Sequence, residues 1–169
     1  MNKQRFFKYN FDKSQKYYNF YVNKTNIDAY NSIVNNHQQI NIFLKGPKKS
    51  GKTYLSDIWQ AKKNAIKYNN NFNQIIDNYN NVYIDNINNS LNEEEIFHIL
   101  NHCNFNNLSV LITSHLEINE IKLNLNDLVS RLKVFTYLQI NNPDDDMLIN
   151  LLTKLLVEKQ FVINSKEIF

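Results

Sequence analysis

The chain has 169 residues, 43% of them hydrophobic and 21% charged, which suffices for one compact domain with a real core and excludes a disordered or fibrous chain. A net charge of +3 does not by itself demand a nucleic-acid partner, and a single cysteine, Cys103, excludes an internal disulfide. No apolar run approaches the ~20 residues needed to cross a bilayer, so a soluble, cytoplasmic protein is expected.

Residues 1–19 carry Arg5, Phe6, Phe7, Tyr9 and Phe11 with no sustained periodicity and read as an irregular, basic, aromatic arm. Thr25 and Asp28 have capping-box spacing, predicting a helix over Ile27–Asn35. Ile40–Leu44 reads as a buried strand, and Leu55, Ile58 and Trp59 give an apolar helical face over Lys52–Lys63. Ala65–Tyr68 is a weak strand, and the Asn-rich stretch 69–80 is expected to be a surface insertion. Val82–Asp85 is a second buried strand that ends in an acid. Ser90 and Glu93 suggest a cap for a helix bearing Ile96, Phe97, Ile99 and Leu100. Leu108–Thr113 and Val134–Ile140 are further strands. Pro143 and Asp144–Asp146 then open a helix whose apolar face is Leu148, Leu151, Leu152 and Leu155. Alternating strands and helices predict an α/β fold, a parallel sheet covered on both faces.

With 32 Asn, 17 Lys, 2 Arg and 2 Gly, the scarce residues are informative. Both glycines lie in Gly46-Pro47-Lys48-Lys49-Ser50-Gly51-Lys52-Thr53, which matches the phosphate-binding pattern G-x-x-x-x-G-K-S/T. Such a loop between a buried strand and a helix N-terminus curls backbone N–H groups around phosphates. Lys52 would neutralise the β- and γ-phosphates and Thr53 would ligate Mg²⁺. Asp85, ending a later strand, is a candidate second Mg²⁺ contact, or an ordinary strand-end acid opening a turn. Position 86 is Asn, and an amide cannot take a proton as a carboxylate does, which puts intrinsic hydrolysis in doubt. Thr113 and Ser114 either sense the γ-phosphate or cap the following turn. Arg131 offers the planar fork that grips phosphate oxygens, or a structural ion pair. His98 and His102, beside Cys103, lack the further ligands of a zinc site.

Together these residues resemble the DnaA-type AAA+ ATPases, and within them the regulators that inactivate DnaA. The carriers are Phe20-Tyr21-Val22, the phosphate loop, Phe97–Asn101, Leu111–Ser114, Asp127–Leu132 and Pro143–Asp145. The resemblance implies a P-loop NTPase fold. Residues 1–19 would be an N-terminal arm, 20–141 the AAA+ base, and 142–169 the first part of a truncated helical lid. It also implies ADP or ATP with Mg²⁺ as cofactor, Phe20 and Val22 beside the adenine, and contact with the DnaA initiator through Arg131. Gln4 and Phe7 could dock on the DNA sliding clamp. Without a helix-turn-helix domain, sequence-specific DNA binding is not expected. The alternatives are a stand-alone P-loop ATPase or kinase, and a helicase-loader-like fragment binding single-stranded DNA.

Overall fold

The computed structural model describes residues 20–35, 38–88 and 91–158. Strands β1 (Ile42–Lys45), β2 (Ile66–Lys67), β3 (Val82–Ile84), β4 (Val110–Ser114) and β5 (Thr136–Gln139) form one parallel sheet in the order β2-β3-β4-β1-β5. Parallel neighbours require crossovers. Helices α1 (Ile27–Val34), α2 (Lys52–Lys63), α3 (Phe72–Ile76), α4 (Glu93–Phe105), α5 (Asn126–Leu132) and α6 (Asp145–Glu158) complete the described chain.

Successive strand side chains point to opposite faces, and this alternation divides the core in two. Ile42, Leu44, Tyr83, Leu111 and Leu138 pack with Ala29 and Ile33 of α1 and Leu55, Ile58 and Trp59 of α2. Phe43, Val82, Ile84, Val110 and Ile112 pack instead with Ile96, Ile99, Leu100 and Cys103 of α4 and with Leu128 and Leu132 of α5. The sheet is therefore covered on both faces, as its alternating sequence predicts. Register pairs Lys45 with both Ser114 and Gln139, so β1, β4 and β5 end at one rim of the sheet. Loops after those ends build the site, as in other open parallel sheets.

Several local expectations are corrected. The Thr25–Asp28 box does not form: the N-cap of α1 is Asn26, which makes no side-chain capping bond. The buried Thr25 hydroxyl lies 2.6 Å from Asn23 Oδ1 instead, and Asn26 Oδ1 accepts from the Asn23 N–H. Ser90 lies outside the described residues, and α4 is capped by Asn92. The Asn92 side chain accepts from the Glu95 N–H at 3.3 Å and its Nδ2 donates to Glu95 Oε1 at 3.1 Å, so the side chain caps the first turn. The stretch 69–80 is not merely a surface insertion, because α3 buries Ile75 in the core, 1% exposed. Asp144 opens α6, accepting from the Met147 N–H at 2.9 Å and from Asn23 Nδ2 at 2.9 Å. The face of α6 that meets the rest of the domain carries Met147 and Leu151. Leu148, Leu152 and Leu155 are about half exposed.

Candidate functional site

The loop between β1 and α2 holds two residues in the left-handed region, Lys49 at φ 66° and Gly51 at φ 91°. Gly51 needs its missing side chain twice, since a Cβ there would also stand 2.9 Å from the Phe20 ring. A Cβ at Gly46 would meet Ser50 Oγ at 2.7 Å and the Ile140 carbonyl oxygen at 3.2 Å, so this glycine permits the close return of the loop. Lys52 Nζ folds back and donates to the carbonyls of Gly46 at 2.7 Å and Pro47 at 2.6 Å. Burial holds its pKa below the ordinary lysine value, with the charge of Asp85 opposing that shift. The Ser50 hydroxyl is buried without a hydrogen-bond partner, while Thr53 is exposed at the first turn of α2.

A cavity of about 390 Å³ adjoins this loop. Its walls combine Phe20, Tyr54, Ile140, Met147 and Leu151 with the polar Lys48–Gly51 stretch. Phe20 stacks between Tyr30 and Tyr54, with centroids at 5.7 Å and 5.4 Å, which fixes an aromatic wall over the loop. Val22 is half-buried and is not among the lining residues.

Asp85 follows β3 and is held from two sides. Lys67 Nζ donates to its Oδ2 at 2.8 Å, and the fully buried Thr113 hydroxyl donates to its Oδ1 at 2.9 Å. Burial opposes ionisation of Asp85, but these donors and the nearby Tyr83 hydroxyl hold its pKa below the ordinary value. The Tyr83 hydroxyl lies close to Ser56, Asp85 and Thr113 without a hydrogen bond of full geometry, and burial pushes its pKa up. Thr113 Oγ1 also accepts from the Asn86 N–H at 2.8 Å. Asn86 sits at φ 50°, a left-handed turn that an asparagine tolerates. The Ser114 hydroxyl accepts from the Leu116 N–H at 3.0 Å and donates to the Ile87 carbonyl at 3.4 Å.

Arg131 is elsewhere. It lies on α5 with its guanidinium 5.0 Å from the centre of the Phe97 ring on α4, and it does not line the cavity beside the phosphate-type loop. His98 contacts the rings of Phe72 and Phe97, and His102 contacts the Tyr79 ring and the Asn106 side-chain amide. Cys103 is buried, and its thiol pKa is pushed up to about 12 by that burial. Gln4 and Phe7 lie outside the described residues. Lys67, Tyr54, Met147 and His115 join the site with no sequence signal to point to them, and Leu151, read from the sequence as part of the apolar face of the last helix, lines the cavity.

Chemically, the loop can receive an anion: it presents Lys48, Lys49 and Lys52, an unpartnered Ser50 hydroxyl and the start of a helix. Thr53 lies in the first turn of α2, and both carboxylate oxygens of Asp85 are engaged, by Lys67 and Thr113. Among the described residues no group of three or more His, Cys, Asp or Glu forms a separate metal site. No described helix is long and apolar enough to cross a membrane.

No family model and no curated protein matches this sequence. Solved structures do. The chain is similar to AMPPCP-bound DnaA from Aquifex aeolicus, with 18% identity over 92% of this chain and 58% of that one, at a TM-score of 0.73. It is also similar to domain III of DnaA from Thermotoga maritima, with 19% identity over 92% and 78% of the two chains, at a TM-score of 0.72. A DnaI structure matches at 17% identity over 72% and 84%, with a TM-score of 0.55. The chain thus spans 58% of the Aquifex aeolicus DnaA structure. These likenesses establish the fold, an α/β architecture of the DnaA type of AAA+ protein.

Proposed function

We propose that this chain is a nucleotide-binding regulator of replication initiation, similar in role to the DnaA regulatory inactivator Hda. It binds ADP or ATP with Mg²⁺ and promotes hydrolysis of ATP held by DnaA. The observation that carries the nucleotide reading is the Gly46–Thr53 loop, where Lys52 Nζ bridges two loop carbonyls. A polyphosphate would exchange those neutral acceptors for anionic ones, which are roughly twice as strong. Thr53 and Asp85 would hold the Mg²⁺, and the wall of Phe20 and Tyr54 would take the base. In solved form the similar Aquifex aeolicus DnaA carries AMPPCP, which supports an adenine nucleotide here.

The action on DnaA rests on Arg131. Its place on α5, away from the chain's own loop cavity, suits delivery to a nucleotide on a neighbouring molecule. Leaving the Phe97 ring forfeits only about 0.5–1 kcal/mol, whereas such arginines accelerate phosphoryl transfer by ~10³–10⁵. Residues 20–141 would be the base, 142–169 the start of a lid, and Gln4 and Phe7 of the 1–19 arm a clamp-docking peptide.

The test measures ATP hydrolysis by the cognate DnaA, with clamp and DNA supplied, on adding wild-type chain or Arg131→Ala. Stimulation that disappears with Arg131→Ala is expected; no stimulation by wild type overturns the reading. A second reading is a helicase-loader-like protein on single-stranded DNA; a similar DnaA has been solved bound to AMPPCP and single-stranded DNA. Strand binding that weakens steeply with salt while DnaA is unaffected would select it.

A further inference from the structure

Beside the phosphate-type loop the rim of the sheet carries His115, whose ring can accept a proton. Asp85 is engaged by Lys67 and Thr113, and the Thr113 hydroxyl is shared between Asp85 and the Asn86 N–H. Ser114 is used by its turn, and Glu117 is paired with Lys45 while accepting from the Tyr137 hydroxyl. Asn86 occupies the position after the strand-end acid, where a second carboxylate would serve as base, and its amide cannot do so. What the Asn86 amide does instead is hold an imidazole: its Oδ1 faces His115 Nδ1 at 2.9 Å.

That contact has a chemical consequence. An amide oxygen only accepts, so this contact is a hydrogen bond when His115 Nδ1 carries the hydrogen. In the neutral ring Nε2 then keeps its lone pair. His115 lines a second cavity of about 490 Å³ with Lys45, Gln139 and Asn142. Pro47, Ile140 and Asn141 line both this cavity and the one beside the loop, so the two adjoin.

We infer that Asn86 and His115 together replace the missing carboxylate, giving this chain a water-activating group for hydrolysis of its own nucleoside triphosphate. The inference rests on the nucleotide reading above and deepens it. His115 Nε2 takes a proton from a water as the water oxygen forms a bond to the terminal phosphorus. The bond from that phosphorus to the bridging oxygen breaks, and its electron pair leaves with the diphosphate. The charged groups around the ring are Lys45 from β1, Glu117 on the same loop as His115, and Asp85 with Lys67 beyond Asn86. Asn86 is a positioning residue, acting through the tautomer it selects.

Single-turnover hydrolysis of Mg-ATP by the full chain tests this, with His115→Gln, His115→Ala and Asn86→Ala as variants. Positioned proton acceptors contribute ~10²–10⁴ in rate. The His115 variants should lose at least ~10²-fold while ATP affinity, measured by calorimetry, stays within ~3-fold of wild type. The wild-type rate should depend on pH through its proton acceptor, and that dependence should vanish in the His115 variants. Nitrogen-15 NMR of the ligand-free chain should report the Nδ1–H tautomer at His115, lost in Asn86→Ala. A wild-type rate no greater than that of His115→Gln, an unchanged pH profile, or the Nε2–H tautomer would each overturn it. If wild type binds no ATP at all, the nucleotide reading fails with it; if it binds ATP and only the His115 effects are missing, this inference alone fails.

Discussion

Replacing Lys52 by alanine separates a phosphate-binding lysine from a structural one. In the ligand-free chain the ammonium makes two bonds to neutral carbonyls, Gly46 at 2.7 Å and Pro47 at 2.6 Å. It does so at a desolvation cost visible in its lowered pKa. Removing it therefore relieves that cost while returning two loop carbonyls to water. The two effects oppose, and the net change in ligand-free stability should stay within ~1 kcal/mol, a few degrees in Tm. Nucleotide binding has no such compensation. Hydrogen bonds to charged groups contribute about 1.5–3 kcal/mol each, and only the excess over the two carbonyl bonds is lost. A loss of about 2–4 kcal/mol follows, roughly 30- to 1,000-fold in Kd. Calorimetric titration with Mg-ADP and Mg-ATP, alongside thermal unfolding of the ligand-free forms, measures both quantities. A Lys52→Ala chain whose Kd remains within ~3-fold of wild type would refute the phosphate assignment. Collapse of the ligand-free Tm would show that the lysine serves the fold instead.

Asp85→Asn should lower stability at neutral pH, because Lys67 loses its carboxylate partner. The folded pKa of Asp85 lies below its ordinary 3.8, so its stabilisation is present above that value and fades as pH falls through the folded pKa. Urea unfolding should therefore show wild type and variant converging toward acid; a gap that does not change with pH would contradict the ion-pair account. Gly51→Ala should cost at least ~1–2 kcal/mol through its left-handed backbone alone, with a further cost from the Phe20 ring 2.9 Å from the new Cβ. Its urea midpoint checks this, and an unchanged midpoint would mean that the loop has a second conformation of equal stability.

The parallel sheet, the loop from Gly46 to Thr53 and the helix behind it are legible from the residues because each is written locally. Contiguous apolar residues make a buried strand, and the spacing of Leu55, Ile58 and Trp59 places α2 over Lys52–Lys63, the bounds it has. Short-range capping was less legible. In a chain with 32 Asn, many positions offer a plausible cap: α4 is capped by Asn92, and the N-cap of α1 is Asn26 rather than Thr25. The Asn-rich stretch 69–80 concealed α3 because one buried residue, Ile75, anchors it. The leucines of α6 carry helical periodicity, but periodicity does not say which turns meet a neighbour.

What the sequence by itself determined is thus the phosphate-type loop and the class of fold around it, since both depend on residues adjacent in the chain. Only the tertiary structure decided the partners of Asp85, which reaches Lys67 across 18 positions and Thr113 across 28. It likewise placed Arg131 on Phe97 and set His115 against Asn86, 29 positions away. The order β2-β3-β4-β1-β5 brings the ends of β3 and β4 side by side, and no local pattern encodes which strands become neighbours.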